Sequence, residues 1–222
     1  ISFTALANGG KFLSFAFENF SSGRENIVLS GLSDANPSVY GQYDVRAAYQ
    51  GDHINLTPKV WAPGIGTAVY KEKITLPEDM SFSTYFTFDM SGPVNDGFVY
   101  TLNCDRNTSP TSWASIGMST SETAINIEFD TSSGGAEVQD TDANHIAVTV
   151  SNSGGIKNVG YYKIDSAKMN LQDTRLKHAW IDHDGASNKL YVTVSYTDSR
   201  LDGVKAEFDF SDHSAENLFA ET

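Results

Sequence analysis

The chain has a single cysteine, Cys104, in 222 residues, so an internal disulfide is excluded. A chain of this length builds a core large enough to fold without cross-links. Cys104, behind the apolar run Phe98 to Leu102, reads as an inert side chain. Basic residues are scarce: 15 Lys and Arg stand against 28 Asp and Glu, a formal charge of −13. Such a surface repels phosphate backbones and anionic lipids, which argues against nucleic acid and membranes as partners. It also supplies the carboxylates that hard cations prefer. No stretch approaches the roughly 20 apolar residues that span a bilayer, so no membrane insertion is expected. No signal peptide is visible, and the sequence reads as a mature or excised piece. Helical periodicity is almost absent, as are linkers, low-complexity tracts and internal repeats.

What is present is 40% apolar and 12% aromatic residues. They fall in short alternating runs between turn clusters rich in Gly, Ser, Asn and Asp. That is the pattern of an all-β antiparallel sandwich, here a single domain over residues 1–222. Phe82, Thr84, Phe86 and Phe88 share one strand face, and Ser81, Ser83, Tyr85 and Thr87 the other. Leu190, Val192 and Val194 alternate in the same way with Tyr191, Thr193 and Ser195. The turn Asp184-Gly-Ala-Ser-Asn188 joins that run to His178–Asp182 as a hairpin. Sequons occur at Asn19, Asn55 and Asn107; they matter only in a eukaryotic secretory pathway.

The segment Ala124-Ile-Asn-Ile-Glu-Phe-Asp130 carries the chemistry. On a strand, Ile125, Ile127 and Phe129 take one face, and Asn126, Glu128 and Asp130 the other. Two carboxylates two residues apart lie about 7 Å apart at Cα, close enough to share one ion or a pair of ions. Without a cation they would repel, and one would have a raised pKa. A Gly-rich acidic loop follows, and the chain returns as His145-Ile-Ala-Val-Thr-Val150. If the two strands pair, His145 and the late-loop Asp140 converge on Glu128 and Asp130. Three carboxylates and an imidazole suit manganese; carboxylates with loop carbonyls suit calcium.

Glu128-Phe-Asp130-Thr131, an acidic loop and His145-Ile-Ala-Val together resemble the metal signature of legume (L-type) lectins, and of their bacterial, adhesin-type relatives in particular. Phe15-Ala-Phe-Glu-Asn-Phe20, Gly66-Thr-Ala-Val-Tyr70 and the Leu176–Val194 hairpin resemble further family strands, so the likeness spans nearly the whole chain. It implies the concanavalin A-like jelly roll. It further implies Mn2+ on Glu128, Asp130, Asp140 and His145, and Ca2+ on Asp130, Asp140 and the carbonyl of Ser132, with Asp142 competing for the place of Asp140. In Val94-Asn-Asp-Gly-Phe-Val-Tyr100 it implies that Asp96, next to Gly97, accepts sugar hydroxyls, after a cis Asn95–Asp96 peptide. A non-proline cis bond costs about 3 kcal/mol and needs enforcement from its surroundings. Calcium beside the turn would provide it, so chelation is expected to abolish binding.

Two positions depart from the family pattern. An Asn that touches calcium and sugar is replaced by Gly134, and a stacking aromatic by Ser132. Asn144, Asp142 or a water then completes the calcium shell. Trp113 reads either as the stacking face for a sugar or as an ordinary core tryptophan. The stretch Ile1–Gly10 resembles a strand and loop that the family carries near its end, which points to rearranged termini or a piece of a longer protein.

The expected partner is therefore a glycan, bound outside the cell by a secreted or surface-borne domain. Shallow sites of this kind gain useful affinity through several copies, by oligomerisation or flanking domains. One rival reading is an adhesin module whose calcium only stiffens the fold. Another is a jelly-roll glycoside hydrolase, which needs a second carboxyl flanking the scissile bond. In the laminarinase-like pattern that second Glu falls on Ser133, so no enzyme is expected.

Overall fold

The computed structural model describes residues 2–6, 12–16, 20, 24–33, 47–57, 64–71, 81–90, 96–102, 124–133, 141–152 and 155–212. Their strands, in chain order, are β1 (Ser2–Leu6), β2 (Phe12–Ala16), β3 (Ile27–Ser33), β4 (Ala48–Gln50), β5 (His53–Asn55), β6 (Gly64–Tyr70), β7 (Ser81–Phe88), β8 (Gly97–Leu102), β9 (Ala124–Asp130), β10 (His145–Asn152), β11 (Gly155–Lys163), β12 (Lys177–Asp184), β13 (Lys189–Ser195) and β14 (Val204–Asp209). A six-stranded sheet runs β14-β13-β12-β7-β1-β2 and a four-stranded sheet β11-β10-β9-β8, with every pairing antiparallel. Two small ribbons, β3-β6 and β4-β5, complete the described strands. No described helix is long and apolar enough to cross a membrane.

Alternation along β7 puts Phe82, Thr84 and Phe86 in the core while Ser81, Ser83 and Tyr85 stay partly exposed. The two larger sheets meet through aromatic rings. Phe86 stacks on Tyr100 at 5.4 Å, and Phe88 meets Phe98 edge-on at 4.9 Å. Phe98 in turn stacks on Phe129 at 4.7 Å. Ile125, Ile127, Ile146, Val148, Val150, Val192 and Val194 fill the rest of this layer.

The hairpin β12–β13 forms as its turn residues direct, Asp184 pairing with Lys189. Asn188 takes φ 51°, a left-handed conformation that Asn tolerates. The Asp184 carboxylate accepts from the Ala186 N–H at 3.1 Å and the Ser187 hydroxyl at 2.6 Å. Beyond local signals, Ser2–Leu6 lies between β2 and β7, bonded to both.

Candidate metal and carbohydrate site

Register brings the candidate residues together on the four-stranded sheet. Asp130 pairs with Gly97 of β8 on one side and with His145 of β10 on the other, and His145 pairs with Lys163. One step along, Glu128 pairs with Val99 and with Ala147, which faces Tyr161. Glu128, Asp130 and His145 are 4%, 5% and 1% exposed. The polar face of β9 is therefore buried, and its carboxylates are not a solvated surface.

His145 Nδ1 lies 2.8 Å from the Asp142 carbonyl, which only accepts, so this nitrogen carries a proton. Nε2 then faces Asp130 Oδ2 at 3.8 Å. A ring held through Nδ1–H, with Nε2 offered to a buried carboxylate, is the usual setting of a metal-ligating histidine. Glu128 Oε1 accepts from the Thr149 hydroxyl at 3.3 Å. Among the described residues no three His, Cys, Asp or Glu side chains are placed to hold a metal ion. The donor chemistry fits one, with Asp130 and His145 as the part already assembled.

Behind His145 stands a brace from β11. The Tyr161 hydroxyl donates to Asp142 Oδ2 at 2.5 Å, and Lys163 Nζ lies 3.7 Å from the same oxygen. Burial pushes the Asp142 carboxyl up. Tyr161, the Asn144 N–H, Lys163 and His145 together outweigh this and hold it below the usual carboxylate range.

Asp96 sits at the mouth of β8 with its side chain exposed, one step from the Gly97–Asp130 pair. Its carbonyl accepts from the Thr131 N–H at 3.0 Å and from the Thr131 hydroxyl. Gly97 is obligatory there: a Cβ would lie 2.1 Å from the Phe129 carbonyl oxygen. Ser132, half-buried, donates its N–H to Asp130 Oδ1 at 2.6 Å. Asn144 is buried and its amide faces the segment from Ile164 to Leu171. Its amide donates to the carbonyls of Ile164 and Met169 and to Ser166, and accepts from the Leu171 N–H. Trp113, Gly134, Asp140 and the Asn95–Asp96 peptide lie outside the described residues. The bracing residues Thr131, Thr149, Tyr161 and Gln172 carry no signal of their own in the sequence, except that Thr131 closes the Glu-x-Asp-Thr motif.

The legume lectin domain model matches residues 12–219. No curated protein matches the chain by sequence. Among solved structures it is similar to the lectin from Bauhinia forficata in complex with GalNAc, at 21% identity over 88% of this chain and 82% of that one, TM-score 0.62. It is similar to peanut lectin with a 9mer peptide, at 20% over 89% and 82%, TM-score 0.61. Lectin II from Ulex europaeus gives 23% over 88% and 80%, TM-score 0.59. At these identities the likeness is one of fold, the antiparallel jelly roll expected from the sequence.

Proposed function

Because the chain belongs to the legume lectin family, we propose that it binds glycans at Asp96, beside a metal centre on the four-stranded sheet. The family is one of non-enzymatic carbohydrate-binding proteins, and legume lectins in general bind calcium and manganese. The observation that carries the reading is the register pairing of Gly97 with Asp130 and of Asp130 with His145, which sets Asp96 at the edge of the buried acid–imidazole pair. In this reading Glu128, Asp130, Asp140 and His145 hold Mn2+. Ca2+ takes Asp130, Asp140 and the Ser132 carbonyl. Asp96 accepts the sugar hydroxyls and Trp113 supplies a stacking face, while Gly134 stands where the family's calcium- and sugar-touching Asn is found. The solved Bauhinia forficata relative carries GalNAc, which makes N-acetylgalactosamine the first sugar to test.

The same reading places the domain outside the cell, secreted or on a surface as an adhesin-type member, where glycoconjugates are displayed in many copies. A glycan array probed with and without chelator tests the function. Retention of at least one glycan by the wild-type chain, lost in Asp96→Ala and in chelator, is expected. Absence of any retained glycan, with a melting temperature that rises on adding calcium, would favour a metal-stiffened structural module instead.

A further inference from the structure

We propose that Thr131 is a positioning residue for carbohydrate binding, clamping Asp96 to β9 and tying it through Gln172 to the segment 164–176. The proposal rests on the reading of Asp96 as the sugar-binding carboxylate. Pairing of Gly97 with Asp130 sets Asp96, just before β8, opposite Thr131, just after β9. Thr131 is 2% exposed, and both its N–H and its hydroxyl donate to the Asp96 carbonyl oxygen. That oxygen has two lone pairs, and the clamp occupies both.

Thr131 is held in turn from the other side. Its carbonyl accepts from Gln172 Nε2 at 3.0 Å. The segment carrying Gln172 is fastened at several points. The Asn144 side chain makes four hydrogen bonds to it. The buried ammonium of Lys177 donates to the Asp173 and Arg175 carbonyls. The Asn170 N–H donates to the Tyr196 hydroxyl at 2.9 Å. At Gly97 the backbones of β8 and β9 are already pressed together, leaving no room for a Cβ.

The Asp96 carbonyl is thus held by two donors from Thr131, which restrains the backbone from which its carboxylate projects. A carboxylate held this way loses little conformational freedom when a sugar docks, so the clamp acts on affinity through preorganisation. Thr131→Val keeps the branched shape and the N–H but removes the hydroxyl. Thr131→Ser restores the donor.

The test uses the full chain and the glycan that the wild-type protein retains most strongly on an array, measured by calorimetry. Backbone 15N relaxation at Gly97 is recorded alongside. Thr131→Val is expected to weaken that glycan roughly five- to tenfold, about the worth of one lost hydrogen bond, and to lower the Gly97 order parameter. Thr131→Ser is expected to stay within about twofold of wild type on both counts. Wild-type affinity and unchanged Gly97 order in Thr131→Val would overturn the clamp. So would failure of Thr131→Ser to restore both. A wild-type chain that retains no glycan gives a different signature: the carbohydrate reading falls, and the positioning role falls with it.

Discussion

Asn144, in the bend before β10, and His145, the first residue of that strand, are neighbours with different partners. His145 joins the polar face of β9. Asn144 turns inward, and its amide seats the segment between Ile164 and Leu171. Truncation would orphan several buried donors and acceptors, each costing about 1–3 kcal/mol. Asn144→Ala is therefore expected to lower stability by about 3 kcal/mol, read as a shifted urea midpoint with an unchanged slope. Asp173 is a second case. Hydrogen bonds from the Arg175 side chain and backbone hold its carboxyl at about 2, against an ordinary 3.8. A group whose folded value is depressed contributes stability above its unfolded pKa and loses it as pH falls through the folded one. That window lies here between about pH 4 and pH 2. Carbon-detected NMR titration of Arg175→Ala should move the Asp173 midpoint back toward 3.8.

At the scale of elements, β8 and β9 show what alternation makes legible and what it hides. The apolar row Ile125, Ile127 and Phe129 and its polar counterpart follow from the residues alone, whereas the pairing of β9 with β10, conditional in the sequence, comes from the structure. The strand faces of β7 and the β12–β13 hairpin likewise follow from the residues. Burial of Asn126, Glu128 and Asp130 does not follow, because a polar row reads the same whether water or protein covers it. Nor does the inward turn of Asn144, whose partners lie twenty or more residues away. The pairing of β1 with β7 is equally silent, since nothing local encodes a partner so distant in sequence. Two substitutions probe this layer. Phe129→Ala empties the middle of the aromatic stack formed with Phe86, Phe88 and Phe98, at an expected cost of about 3–5 kcal/mol in chemical denaturation. Gly97→Ala forces β8 off β9, because the atom it meets is backbone and cannot rotate away. Hydrogen exchange at Thr131, whose N–H bonds to Asp96 across this junction, should accelerate in that variant.

For the molecule as a whole, the reading of a buried metal centre has a thermodynamic signature. An ion that binds only the folded state stabilises it by mass action, about 2.7 kcal/mol at a hundredfold excess over Kd. In a domain of this size that amounts to roughly 5–10 °C in melting temperature. Chelation should remove the increment, and added calcium or manganese should restore it. Identical melting curves with chelator and with excess ion would contradict the metal centre. The six-stranded sheet carries a consequence for biosynthesis. β7 is bordered by β1 and by β12, and Phe82 of β7 waits for His183, about a hundred residues further along. At a synthesis rate of about 5–20 residues per second, roughly 5–20 s separate the emergence of the two strands from the ribosome. Through that interval the edge of β7 that faces β12 lacks its strand partner. The closing of this sheet therefore waits until β12 has been synthesised.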